Sequence, residues 1–168
     1  PTDTVYGLVA DPSSPAAMQS LFELKRRPTG VPVAVLVGSV DQARTIVRSS
    51  DLFERLAEAH WPGALTVVAP RASEITLHIG SAATIGVRLP DHDLVRAITL
   101  RFGPIAATSA NIHGDPTIVS AEEALEVFHD AVGVVIDGGT LAGTASTVVD
   151  ISVDPPAILR RGDVVVDL

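Results

Sequence analysis

Three serines each open a helical segment in this chain, and short β-branched runs fill the intervals between helices, so strand must alternate with helix. Ser14 stands before Pro15, which suits a capping hydroxyl followed by a first helical residue with no N–H to satisfy. That helix should bury Met18, Leu21, Phe22 and Leu24 and end before Pro28. Ser39 with Gln42, and Ser120 with Glu123, are capping boxes, the first opening a helix through about Val47 and the second one that carries Leu125 and Phe128. Further helices are expected at Asp51–His60, stopped by Trp61-Pro62-Gly63, and at Asp91–Arg101, with Leu94 and Ile98 one turn apart and Gly103 in the stop position. Strands are predicted over 31–37, 64–70, 84–90, 104–108, 132–136, 147–151 and 157–159, with Asp137-Gly138-Gly139 as a tight turn. The late succession of strands argues against a purely parallel, doubly wound sheet. An α/β domain with a twisted mixed β-sheet flanked by helices is the expected fold.

The 168 residues suit one domain, and 46% hydrophobic against 19% charged content suits a packed core that is aliphatic, because aromatics supply only 4%. The absence of cysteine excludes disulfides, thiolate-bound zinc and a thiol nucleophile, and is compatible with a reducing cytoplasm, the expected location. Apolar runs fall far short of the roughly 20 residues that span a bilayer, and no signal peptide opens the sequence, so no membrane role is expected. Because Pro1 lies inside a polar motif, a strand leading into it is expected upstream.

The formal net charge of −8 disfavours a broad nucleic-acid face. Half of the 12 basic residues, however, fall in a few short motifs: Lys25, Arg26, Arg27, Arg88, Arg160 and Arg161. That concentration suits a focused pocket for a small polyanion. Lys25 to Arg27 end a helix, where cations also sit comfortably as a solvated last turn. Arg88 stands among aliphatic residues in a strand, which leaves it either on an open face or buried with an anionic partner; Gly86 beside it favours the second. Ser109 and Asn111 follow a strand, as a plain turn or as hydrogen-bonding groups at a strand end where α/β crevices lie. The opening Pro1-Thr-Asp-Thr-Val-Tyr-Gly-Leu8 reads either as a turn whose threonines satisfy backbone or as pocket chemistry in which Asp3 and Tyr6 have no assigned part. Gly138 to Gly143 looks like a phosphate loop but lacks the lysine, and the five histidines show no metal-ligand spacing.

Taken together, Pro1-Thr-Asp-Thr-Val-Tyr-Gly-Leu8, Lys25-Arg-Arg-Pro28, Trp61-Pro-Gly-Ala-Leu-Thr66, Gly86-Val-Arg-Leu-Pro90, Ser109-Ala-Asn111 and Ser146-Thr-Val-Val-Asp150 resemble the YrdC-like family of threonylcarbamoyl-AMP synthases, in order and over nearly the whole chain. The resemblance implies synthesis of threonylcarbamoyl-AMP from L-threonine, bicarbonate and ATP, with release of pyrophosphate. The product would serve partner proteins that modify an adenosine of tRNA. It implies ATP contacts from Lys25, Arg27, Thr84, Ser109, Asn111, Thr117 and Arg160, and threonine contacts from Thr4, Arg88, Ser146 and, through its backbone, Ala107. Lys25 and Arg27 would stabilise charge, with no dedicated nucleophile and with Mg2+ bridging the phosphates. Val31 and Leu36 stand where the family often carries Asn or His, departures that bear on substrate positioning, and Trp61 is expected to pack under the site. Two other readings stay open: a carbamoyltransferase domain that forms a carbamoyl-adenylate, and a non-catalytic RNA-binding module, since the family's positively charged concavity leaves room for a weak tRNA contact.

Overall fold

The computed structural model describes residues 1–28, 30–73, 75–81 and 83–168. Serine caps set the helices where the sequence predicts them. The Ser14 hydroxyl accepts from the Ala17 N–H (3.2 Å) ahead of α1 (Pro15–Leu24), and Ser39 accepts from Gln42 (3.0 Å) ahead of α2 (Val40–Arg44). Ser50, not anticipated as a cap, accepts from Phe53 and opens α3 (Asp51–His60), whose two ends match expectation. Ser120 caps α5 (Ala121–Phe128), and the Glu123 carboxylate reaches back to the Val119 N–H at 3.0 Å. Between them lies α4 (Asp93–Phe102), ending at Gly103 with φ of 100°. α4 starts at Asp93, two residues later than expected, and two further details differ from the sequence reading. α2 stops at Arg44, where the Thr45 hydroxyl bonds the Gln42 carbonyl instead of leaving it to the helix ladder, and α4 buries Val95 and Thr99 while Leu94 is exposed.

The strands are β1 (Gly7–Ala10), β2 (Ala34–Leu36), β3 (Leu65–Pro70), β4 (Thr84–Arg88), β5 (Ile105–Ser109), β6 (Thr147–Asp150) and β7 (Ala157–Arg160). They form one sheet in the order β1-β5-β2-β4-β3-β6-β7. The β2–β4 and β3–β6 pairs are parallel and the rest antiparallel, so the sheet is mixed, as expected. β1 was not foreseen: it lies along β5, with Gly7 opposite Ser109, a pairing across about a hundred residues that local pattern does not carry. The predicted strand over 132–136 is no strand, because its β-branched run finds no ladder partner among the described residues. Residues 31–37 yield only three strand residues, although the Val33 N–H bonds Ile79 and the Val37 N–H bonds Arg88.

Strand alternation divides the central sheet into two unlike faces. Val35, Val67, Ala69, Ile85, Val87 and Val149 point into an aliphatic core with Ala43 and Ile46 behind α2 and with Phe53, Leu56 and Ala57 of α3. A second core joins Leu8 and Ala106 to Met18, Leu21 and Phe22 of α1 and Phe128 of α5. Trp61 sits in the first core, edge-on to Phe53 at 5.6 Å, with its indole N–H on the Leu65 carbonyl. Among the described residues no helix is long and apolar enough to cross a membrane.

Candidate functional site

The residues that alternate with the first core line a cavity of about 520 Å3 on the other face of the sheet, within the range of small-molecule sites. β2 contributes Ala34 and Leu36, β3 Thr66 and Val68, β4 Thr84, Gly86 and Arg88, β5 Ala107 and Ser109, β6 Val148 and Asp150, and β7 Arg160. The floor is made of small residues, so the sheet itself is accessible. A Cβ on Gly86 would meet the Thr66 and Val68 side chains at 3.4 and 3.6 Å, ordinary contact, so a Cβ there would be accommodated among the cavity-lining residues. Arg27, Arg88 and Arg160 enter the wall, with Asp150 lining it and Asp3 paired to Arg88. In a chain of net charge −8, this face is locally positive.

Arg88 is 6% exposed and paired with an anion, as the presence of Gly86 suggested. Its Nε donates to the Gly63 carbonyl (3.0 Å), one Nη to the Thr4 hydroxyl (2.9 Å) and the other to the Asp3 carboxylate. A guanidinium carries five N–H groups, so one on each terminal nitrogen has no partner among the described residues. Those two N–H groups are left to an anion such as a ligand carboxylate. Thr4 is held in turn by Thr2, whose hydroxyl donates to the Val5 carbonyl.

Across the floor, Ser146 and Thr66 share a hydrogen bond at 2.8 Å, and Arg160 donates to the Ser146 carbonyl and hydroxyl at 2.9 and 3.0 Å. Arg27 is braced by its bonds to the carbonyls of Val31 and Pro32. Loss of surrounding water lowers the pKa of Arg27, and at Arg160 burial and then the Arg88 charge do the same. Each would gain from an anion entering the cavity.

Of the predicted site residues, Thr4, Arg27, Thr84, Arg88, Ala107, Ser109, Ser146 and Arg160 meet on this one wall. Lys25, Asn111 and Thr117 are not part of it. Thr117 is half-buried, while Lys25 is 1% exposed and its ammonium donates to the Ser109 carbonyl (2.6 Å), the Asn111 carbonyl (2.7 Å) and the Asn111 Oδ1 (2.8 Å). Burial, then the neighbouring Arg27 charge, lowers its pKa to about 8. The split between Lys25 and Arg27 follows from the end of α1. Arg26 takes a left-handed φ of 50°, the Arg26 N–H bonds Glu23 and the Arg27 N–H bonds Phe22, a Schellman cap that sends Lys25 inward and Arg27 to the cavity.

Sequence reasoning missed Asp3 as the partner of Arg88 and Thr66 as the partner of Ser146, since each pair is about eighty residues apart in the chain. The glycine-rich stretch after Asp137 is a packing element: a Cβ on Gly143 would lie 1.7 Å from the Thr4 carbonyl, and Gly138 abuts Pro1. Tyr6 pins it by donating to the Gly139 carbonyl and accepting from the Gly138 N–H. Among the described residues no group of three or more His, Cys, Asp or Glu could hold a metal ion.

Residues 1–162 match the family model Sua5/YciO/YrdC, described as telomere recombination. The threonylcarbamoyl-AMP synthase of Pyrococcus abyssi is 39% identical over 166 residues, covering 96% of this chain and 49% of that protein. The threonylcarbamoyl-AMP synthase of Vibrio cholerae is 35% identical over 145 residues, 83% of this chain and 77% of that protein. In structure, P. abyssi Sua5 complexed with L-threonine superposes with a TM-score of 0.89 at 38% identity, covering 96% of this chain and 49% of that one. Escherichia coli YciO superposes at 0.88 with 26% identity, covering 97% and 81%. The chain therefore spans about half the length of the P. abyssi relative and about three-quarters of the V. cholerae one.

Proposed function

The chain belongs to the Sua5/YciO/YrdC family, and from that premise we propose that it makes threonylcarbamoyl-AMP from L-threonine, bicarbonate and ATP by nucleotidyl transfer. The observation that carries the reading is the convergence of Arg27, Arg88 and Arg160 with the hydroxyls of Thr4, Ser109 and Ser146 on one cavity. Such a wall can take a polyanion beside an amino acid. Its supporting relative is the Pyrococcus protein solved with L-threonine.

In this mechanism Arg88 receives the threonine carboxylate, and Thr4, Ser146 and the Ala107 backbone hold the rest of the amino acid. The amine adds to bicarbonate and water leaves, giving a carbamate. A carbamate oxygen then attacks the α-phosphorus of ATP, the bond to the β-phosphate oxygen breaks, and pyrophosphate departs. Arg27 and Arg160 offset charge on the phosphates, Thr84 and Ser109 line the nucleotide side, and Lys25, Asn111 and Thr117 act from outside the wall. Catalysis of this kind comes from holding reactants together and neutralising charge. Mg2+, bound chiefly by the phosphates, would supply Lewis-acid polarisation there. The product would pass to proteins that transfer the threonylcarbamoyl group to tRNA.

The test is to incubate the protein with ATP, bicarbonate and L-threonine and to detect the adenylate and pyrophosphate by mass. Threonine-dependent adenylate is the expected result. ATP turnover stimulated by carbamoyl phosphate instead would replace the proposal with a carbamoyl-adenylate activity. Salt-sensitive tRNA binding with no turnover would reduce the chain to a binding module.

A further inference from the structure

The hydroxyl of Ser109 has its proton direction settled by neighbours that leave no choice. Lys25 has three N–H donors and no acceptor, so the Asn111 atom 2.8 Å from it must be the amide oxygen. The other Asn111 atom lies 2.6 Å from the Asp115 carbonyl, which can only accept, and is therefore the NH2 group. The Ser109 Oγ lies 2.7 Å from the Asn111 oxygen, and since a carbonyl oxygen has no proton to give, Ser109 donates. The His113 N–H on the Lys25 carbonyl (2.9 Å) ties the same loop to the end of α1.

We propose that Lys25, acting through Asn111, is a positioning residue that turns the Ser109 proton away from the cavity, so that Ser109 meets its ligand with lone pairs alone. This rests on the reading of the cavity as the nucleotide and amino-acid site. Its consequence is chemical. An oxygen that offers only lone pairs does not hydrogen-bond a bare phosphate oxygen. It takes a donor or a cation, whether the substrate ammonium, the amino group of the base or a divalent ion carried on the phosphates.

Calorimetric titration of the wild type and Ser109→Ala with inorganic tripolyphosphate, ATP, ITP and L-threonine tests this. Tripolyphosphate in magnesium-free buffer should bind both proteins within about twofold, while at least one donor-bearing probe weakens about fivefold in Ser109→Ala, the size of one hydrogen bond. Weaker threonine points to the ammonium, loss of the ATP-over-ITP preference points to the base, and weaker tripolyphosphate only with Mg2+ present points to the ion. In an Asn111→Ala background the freed hydroxyl should turn outward, and Ser109→Ala should then cost about fivefold in magnesium-free tripolyphosphate affinity. A merely structural role for Asn111 would not create that dependence, and its absence overturns the proposal. If Asn111→Ala does not fold, the single substitution decides. Loss of magnesium-free tripolyphosphate binding in Ser109→Ala alone, or no change with any probe, overturns the inference. A wild type that binds none of the probes overturns the functional reading and this inference with it.

Discussion

The two faces of the central sheet are built from the same strands by alternate residues, and they have opposite chemistry. On β4, Ile85 and Val87 are sealed in the core while Thr84, Gly86 and Arg88 line the cavity. On β3, Val67 and Ala69 face one way and Thr66 and Val68 the other. The aliphatic face gains stability from the removal of apolar area from water and tolerates no polarity. The cavity face forgoes that burial, keeping small residues and guanidinium groups whose charges have few partners. Stability and ligand chemistry are therefore separable at single-residue resolution along one strand.

Substitutions at neighbouring residues of β4 should separate the two faces most clearly. Val87→Asp puts an unpaired carboxylate into the core and should cost at least about 4 kcal/mol, leaving no cooperative thermal transition. Gly86→Val, one residue away, should melt within a few degrees of wild type yet lose ligand affinity about tenfold or more by filling the cavity. Next in size, Arg27→Ala should lower adenylate formation about 10- to 100-fold, with a stability change under about 1 kcal/mol in urea titration. Full pyrophosphate release by that variant would remove Arg27 from the site.

A smaller effect is expected from pH. Folded Lys25 releases its proton as pH rises through about 8, against 10.5 for an ordinary lysine, and one of its three donors is then lost. Activity should fall on that alkaline limb in the wild type, while a Lys25→Met variant, already impaired, should lack it. The stability sign is opposite. Between about 8 and 10.5 the unfolded chain holds a proton that the folded protein has released, so Lys25 makes unfolding free energy rise with pH in that window. Smallest of all, Arg26→Gly removes a side chain from a left-handed backbone position and should stabilise by about 0.5–1 kcal/mol with no change in activity.

The sequence was most legible where structure is local. Ser14, Ser39 and Ser120 cap the residues three positions on, and Asp51–His60 lies between a serine cap and a Trp-Pro-Gly stop. What local pattern could not carry was partnership. β1 exists because β5 runs beside it, and residues 132–136 have strand propensity without a ladder. The same holds at the site. Motifs brought eight of the predicted residues to one wall, but the Asp3–Arg88 and Thr66–Ser146 pairs and the inward turn of Lys25 depend on tertiary packing, which motif spacing does not encode.

Methyl NMR of the folded protein titrated with ATP and L-threonine tests the two-faced sheet most directly. The account predicts shifts at the methyls of Ala34, Leu36, Val68, Ala107 and Val148, which line the cavity, with little movement at Val35, Val67, Val87 and Val149 in the core behind them. Shifts confined to the core methyls, or none at the cavity wall under saturating ligand, would contradict it.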